Sequence, residues 1–311
     1  MPDRKLCLAI LGPTASGKTG FAIQVAKKLE GEIICVDSTT VYRGFDIGTS
    51  KPTAEQQAEV PHHLLDILSP TEAFNARDFV ETAKKSIEEV QNRGKLPILV
   101  GGSYFYLRAL QMGMYPTGGY DDRDLETITE EFTTNEGLDG EKLHATLSAL
   151  DAPTAAAIHP NDTYRLLRAV ALARSGKKPS TLKAVEVLGP EWLWVKYAMA
   201  LSRKILAENI LIRAKSMVRS GLVEEVRSLK EKYPEAKALG SIGYAETLRF
   251  LNKEMGEEAL VQTITENTRQ LLKRQMTWLR SDPEVRFIDA GDLPRVELEI
   301  ANLRAVLKGM P

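Results

Sequence analysis

Cysteine is almost missing from this chain: two residues, Cys7 and Cys35, in 311. A disulfide framework is thereby excluded, and both thiols fall in apolar runs that read as buried strands of a protein kept in a reducing compartment. Histidine is nearly as scarce, with four scattered residues and no zinc-finger spacing. No apolar run approaches the ~20 residues that cross a bilayer. The first apolar run starts almost at once, so no secretory or transit peptide is read. The expectation is a cytoplasmic, soluble protein with no membrane partner.

Net charge is lacking too, at −1, so the whole chain gives no pull toward nucleic acid. The distribution is uneven. Residues 121–151 hold 10 acids and 2 bases, whereas 203–280 hold 15 bases and 10 acids. A basic C-terminal half points mildly to an anionic partner. With 43% hydrophobic and 27% charged residues, the length suits one large domain or two small ones.

Against this plain background one motif stands out. Gly12-Pro13-Thr14-Ala15-Ser16-Gly17-Lys18-Thr19 has the G-x-x-x-x-G-K-[ST] spacing of a phosphate-binding P-loop. Its context fits: Lys5–Leu11 is a short apolar run, and Phe21, Ala22, Val25, Ala26 and Leu29 recur at helical spacing. Strand, glycine loop and helix aim a helix N-terminus at an anion. Lys18 then neutralises charge on a leaving phosphate, and Thr19 ligates magnesium or touches the phosphate.

Two further apolar runs, Glu32–Asp37 and Leu96–Gly102, are separated by a helical stretch from about Asn75 to Arg93. The alternation predicts an α/β fold with a parallel sheet flanked by helices, a P-loop NTPase-like architecture. Ligands of such sheets bind beyond the carboxyl ends of the strands, where the P-loop, Asp37 and Gly101-Gly102 converge. Asp37 there is placed to accept a proton from a nucleophile or to bind a metal. Tyr42, Arg43, Thr49, Ser50 and Lys51 follow as a run of donors too long for a simple turn. Leu99-Val100-Gly101-Gly102-Ser103 lacks the acid with which many P-loop NTPases hold magnesium. A nucleotide-binding, ATP-binding loop remains open, but pyrophosphate is the better fit.

After the Gly/Pro-rich break at Gly113–Tyr120 the pattern changes. The expected division is a catalytic core over 1–118 and 186–311 and an inserted all-helical domain over 119–185. Strands are predicted to return at Trp192–Leu201 and Val285–Ile288. Asp121-Asp122-Arg123-Asp124 reads as a loop or helix cap. Residues 268–280 carry four bases and no acid. On a helix, Arg269, Lys273, Thr277 and Arg280 share a stripe distinct from that of Leu272, Met276 and Leu279, a pattern suited to a phosphate backbone. Arg165 and Arg168 share a helix face and have the same potential.

Taken in order, these residues resemble the tRNA dimethylallyltransferase (tRNA isopentenyltransferase) family over nearly the whole chain, from about Leu8 to Arg280. Its landmarks are the P-loop; Asp37-Ser38 with Val41-Tyr42-Arg43-Gly44; Asp46-Ile47-Gly48-Thr49-Ser50-Lys51-Pro52; and Pro61-His62-His63-Leu64-Leu65-Asp66. They continue with Val100-Gly101-Gly102, His159-Pro160-Asn161-Asp162, Ser241-Ile242-Gly243-Tyr244, and Thr268-Arg269-Gln270 with Lys273-Arg274-Gln275 and Thr277-Trp278.

The resemblance implies transfer of a dimethylallyl group from dimethylallyl diphosphate, with Mg2+, to N6 of the adenosine 3′ of the anticodon, releasing diphosphate. It implies that Gly12–Thr19 and Arg213 hold the diphosphate, that Thr19 ligates the metal, and that Asp37, Lys18 and Thr19 are catalytic. It further implies tRNA contacts from Asp37, Ser38, Thr39, Thr40 and Ser103; from Tyr164, Arg165, Leu166, Leu167 and Arg168; from Leu239, Gly240, Ser241, Ile242, Gly243 and Tyr244; and from Lys273, Arg274, Gln275, Met276, Thr277, Trp278, Leu279 and Arg280. The inserted domain is expected to close over the anticodon stem-loop, and the protein to be a monomer. The chain departs from the family pattern at Thr40 and Gly240, where many members carry Gln, at Ser69 and Ser103, where Asp and Thr are frequent, and at Asn209, where Arg is usual. The C-terminal zinc finger of eukaryotic members is absent, so the resemblance is to the bacterial type. A P-loop small-molecule kinase, an adenylate isopentenyltransferase and an RNA-binding protein with a nucleotide switch remain as alternatives.

Overall fold

Short runs of β-branched and aliphatic residues, each ending in glycine or an acid, become the strands of a single sheet. The computed structural model describes residues 4–113, 120–182 and 187–309. The chain divides into two compact units, Met1–Gln111 with Val187–Pro311, and Met112–Glu186. The expected boundaries at 118/119 and 185/186, and all but the ends of the Gly/Pro-rich break, lie outside the described residues.

The first unit opens with β1 (Lys5–Leu11), α1 (Lys18–Leu29), β2 (Gly31–Val36), α2 (Ala54–Glu59), β3 (His62–His63), α3 (Ala76–Asn92), β4 (Leu96–Gly101) and α4 (Tyr104–Met112). The second unit holds α5 (Asp122–Phe132), β5 (Thr133–Thr134), β6 (Gly137–Leu138), α6 (Gly140–Leu150), α7 (Ala152–Ala156) and α8 (Thr163–Arg174). The chain then completes the first unit with β7 (Trp192–Met199), α9 (Arg203–Arg219), α10 (Leu222–Lys232), α11 (Tyr244–Leu251), α12 (Glu257–Ser281), β8 (Val285–Ile288) and α13 (Leu293–Gly309).

Six strands form one sheet in the order β3-β2-β4-β1-β7-β8, every pair parallel. β1 lies inside, with Leu8 opposite Ile98 on one side and Val195 on the other. All six residues of β2 and of β4 are buried. Cover on both faces is why these strands read as unbroken apolar runs rather than alternating ones. Each fully buried Leu or Ile, such as Leu8, Ile10 and Ile34, contributes roughly 1.5–3 kcal/mol.

α3 shows how sequence sets a helix. Asn75 caps it, its side chain accepting from Arg77 N and Asp78 N while Asp78 answers at Asn75 N. Phe79, Val80, Ala83, Ile87 and Val90 then face inward. Asp121 caps α5 in the same way, so the acid-rich motif is a helix start. In the second unit Ile128, Phe132, Leu143, Leu147, Leu166 and Val170 form a separate core. The unit departs from the all-helical expectation in one place, the β5–β6 hairpin, where two β-branched threonines precede Asn135-Glu136-Gly137.

Candidate active site

The parallel sheet brings the carboxyl ends of β1, β2 and β4 side by side. The P-loop, Asp37 and Gly102 follow directly, and all three border one cavity of about 680 Å3. The opposite wall comes from α9, α11 and α12 through Ile210, Arg213, Met217, Tyr244, Gln275 and Trp278.

The P-loop wraps the start of α1. Gly17 takes the left-handed φ of 79° and no side chain caps the helix, so the first-turn N–H groups are left for a ligand. Lys18 reaches back to the Pro13 carbonyl at 3.4 Å. Lys18 is half-buried, and burial first, then Arg213, lowers its pKa to about 8, Asp37 opposing. Burial likewise lowers the pKa of Arg213, again against Asp37. Two half-buried cations near one carboxylate leave a positive surplus, which calls for an anion. Ser16 Oγ, buried in the same loop, has no partner among the described residues. A polyphosphate would supply what both features lack.

Neighbouring segments fix the loop. Gln275 of α12 accepts from Thr14 N through Oε1 at 3.1 Å and donates to Gly102 O through Nε2 at 3.1 Å. Asn209 of α9 donates to Ala15 O at 3.1 Å. The asparagine that stands in place of the usual arginine thus braces the P-loop backbone.

Asp37 is held by one oxygen. Oδ1 accepts from Thr39 N (2.8 Å), Thr39 Oγ1 (2.7 Å) and Thr40 N (3.3 Å). Oδ2 makes no hydrogen bond among the described residues and is free to take a proton or ligate a cation. Thr19, also on the cavity wall, has a hydroxyl with no partner among them. No group of three His, Cys, Asp or Glu side chains suited to a metal occurs among the described residues. Two oxygens beside a phosphate site fit Mg2+, which takes one or two protein oxygens and completes its shell with water and phosphate.

The cavity also has an apolar lining, from Ile33 and Cys35 of β2 and, on the helical wall, from Ile210, Ala214, Met217 and Ile264. Burial raises the Cys35 pKa to about 12, which keeps the thiol protonated. An aromatic wall completes it: Tyr104 stacks on Trp278 at 6.1 Å, Arg108 lies 5.7 Å over the same indole, and Tyr106 stacks on Phe79 at 4.8 Å. Tyr104 is held from behind by Asp282, which pairs with buried Lys196 at 2.5 Å.

The expected contact residues fall into groups. Ser38, Thr39, Thr40, Ser103, Gly240, Ser241, Ile242, Gly243, Tyr244, Arg274, Gln275 and Trp278 line the cavity with Asp37. Arg269, Lys273, Thr277 and Arg280 are exposed along one side of α12. In the second unit Tyr164 is exposed, and Arg168 bonds the hydroxyls of Tyr164 (2.9 Å) and Tyr120 (3.1 Å). Other positions turn their side chains inward. Leu166, Leu239 and Leu279 are core residues, and Leu167 packs partly against the second unit's core. A contiguous run on a helix necessarily turns some of its residues inward.

The donors at Tyr42–Lys51 are largely spent inside the protein. Lys51 is 4% exposed and binds Asp46 (2.5 Å), Asp66 (2.6 Å) and Tyr42 O (2.9 Å). Arg43 binds Asp66 O, and Thr49 Oγ1 binds Phe45 O. Sequence reading gave no role to His62, whose Nδ1 lies 2.7 Å from Val60 O and whose buried Nε2 faces no partner among the described residues. Its place in the Pro61–Asp66 motif was the available signal.

The chain resembles known proteins over most of its length. The family model described as IPP transferase matches residues 40–282. A curated protein of Geobacter metallireducens named tRNA dimethylallyltransferase is 41% identical over 92% of this chain and 93% of its own length. One of the same name from Hydrogenovibrio crunogenus is 39% identical over 98% and 96%. Among solved structures, the full-length tRNA isopentenylpyrophosphate transferase of Bacillus halodurans superposes with a TM-score of 0.70, at 35% identity over 98% of this chain and 96% of that one. A eukaryotic dimethylallyltransferase described as acting on tRNA gives 0.77, at 27% identity over 97% and 78%. The chain belongs to the IPP transferase family.

Proposed function

We propose that this member of the family transfers a dimethylallyl group from dimethylallyl diphosphate to N6 of the adenosine 3′ of the anticodon in tRNA. The observation that carries the reading is one cavity lined by a half-buried cation pair, a carboxylate with one free oxygen and a set of apolar side chains. Diphosphate sits on the P-loop N–H groups, Lys18 and Arg213. The five-carbon chain lies along the apolar side chains. The N6 amine attacks C1 of the allyl group, the C1–O bond breaks, and the electron pair leaves with diphosphate. Asp37 Oδ2 takes the N6 proton. An exocyclic amine is a weak nucleophile, so positioning and stabilisation of the leaving anion supply most of the rate.

Mg2+, held by Thr19 and the diphosphate oxygens, would supply further neutralisation of the leaving group. A duplex or stacked anticodon loop hides N6, so the adenosine must be flipped into the cavity. The exposed basic side of α12 supports an RNA acceptor over a free nucleotide. Among the described residues no helix is long and apolar enough to cross a membrane, and the protein works as a cytoplasmic monomer in this reading.

Prenyl transfer from labelled dimethylallyl diphosphate to an unmodified anticodon stem-loop tests this directly, with AMP as second acceptor. Label on the stem-loop, reduced by about 10²–10⁴-fold in Asp37→Asn with diphosphate binding retained, is the expected result. Label only on AMP moves the assignment to a nucleotide prenyltransferase, and no label on either acceptor refutes the transferase.

A further inference from the structure

Glu225 lies on α10, outside the cavity wall, yet its carboxylate is fully engaged with the cavity's loop. Oε2 accepts from Ile47 N at 2.8 Å. Oε1 accepts from Gly48 N at 3.2 Å and from the Tyr244 hydroxyl at 2.6 Å. Two successive backbone amides on one carboxylate form a cap of the kind that fixes a turn. The fit is close: a Cβ on Gly48 would come within 2.3 Å of the Tyr244 ring, and Phe45 packs on that ring at 4.7 Å. Ser50, held at a φ of 50°, and Lys51 complete the turn through Ser50 N to Ile47 O and Lys51 N to Asp46 O, each 3.0 Å.

The product of this bracing is one carbonyl. Thr49 O, next in sequence to the braced amides, accepts from Arg213 Nη2 at 3.2 Å. A half-buried guanidinium whose fork is fixed at one nitrogen holds its other donors in a set orientation, and Arg213 lines the cavity that Lys18 also lines. We infer that Glu225 is a positioning residue for anion binding: through the 47–49 turn it sets the Thr49 carbonyl, and through that carbonyl the orientation of Arg213. The inference rests on the diphosphate site proposed above.

The test is calorimetric titration of the full-length protein with magnesium diphosphate. The variants are E225Q, Y244F, R213A, the double variant E225Q/R213A and the exposed neighbour E224Q. A glutamine retains one acceptor and turns an N–H₂ toward a backbone N–H, so E225Q should weaken binding about tenfold. Y244F should weaken it by no more than about threefold, and E224Q should bind as wild type. The deciding comparison is the cycle. With Arg213 gone its orientation no longer matters, so E225Q/R213A should bind no more weakly than R213A alone. Additive losses would overturn the inference, as would E225Q with a lowered melting temperature and wild-type affinity. Should E225Q be recovered unfolded, E225D with and without R213A gives the same comparison. Wild-type protein that fails to bind diphosphate refutes the site itself, an outcome distinct from an intact site indifferent to Glu225.

Discussion

Lys18 offers the sharpest quantitative test. Its pKa of about 8 in the free protein, caused chiefly by burial and next by Arg213, means that it loses its proton within an accessible range. A bound diphosphate brings several negative charges beside the ammonium and drives its pKa back up. Above pH 8 each binding event must therefore take up a proton. Affinity should fall by a factor of about 1 + 10^(pH − 8), which is roughly thirtyfold at pH 9.5. Titration calorimetry at pH 9 in two buffers of different ionisation enthalpy should show uptake approaching one proton per site. Lys18→Arg stays charged throughout, so it serves to subtract the ligand's own ionisation, and its uptake should drop accordingly. Equal uptake by wild type and Lys18→Arg would refute the reasoning.

The same shift fixes a stability sign. Between pH 8 and 10.5 the unfolded chain binds more protons at this lysine than the folded one, so unfolding takes up a proton and stability rises with pH across that window. Below pH 8 the folded protein carries the whole penalty, at most about 3 kcal/mol. Lys18→Met should accordingly raise the melting temperature at pH 7 while abolishing diphosphate binding.

Gln275→Ala removes the partners of both Thr14 N and Gly102 O, which should cost about 1–3 kcal/mol, read as weaker diphosphate binding and a lower chemical-denaturation midpoint; unchanged values in both would refute its bracing role. Replacing Lys273 or Arg280 by Ala should weaken stem-loop binding across sequences and shallow the slope of log affinity against log salt by about 1 for each phosphate no longer neutralised. An unchanged slope would remove that residue from the RNA face.

Local patterns carried much of this architecture in the sequence. β1 lies where its apolar run placed it, Lys5–Leu11, because a strand covered on both faces leaves no ambiguity of face; β8 also matches its expected bounds, Val285–Ile288, although Arg286 and Phe287 are exposed at the edge of the sheet. Asp37 and the P-loop were readable because fixed spacing and strand ends determine them. Glu225 was not: it meets Ile47 from 178 positions away, and no periodicity records that distance. The brace that Gln275 gives the P-loop is illegible for a related reason. The basic character of α12 marks its outer side, whereas Gln275 is turned inward to the P-loop. Lys51 looked like a ligand donor because a sequence does not reveal that Asp46 and Asp66 converge on it.

The wiring of the sheet has a consequence during synthesis. β1 is made well before both of its neighbours, β4, ending at Gly101, and β7, ending at Met199. Pairings so distant in sequence make slow, late-closing folds. The P-loop amide at Thr14 gains its brace only when Gln275 has been translated. A chain released from the ribosome before that point would carry the complete phosphate motif without the wall that holds it in shape. Truncated products are thus predisposed to be inert toward diphosphate, so they would not tie up substrate while awaiting degradation.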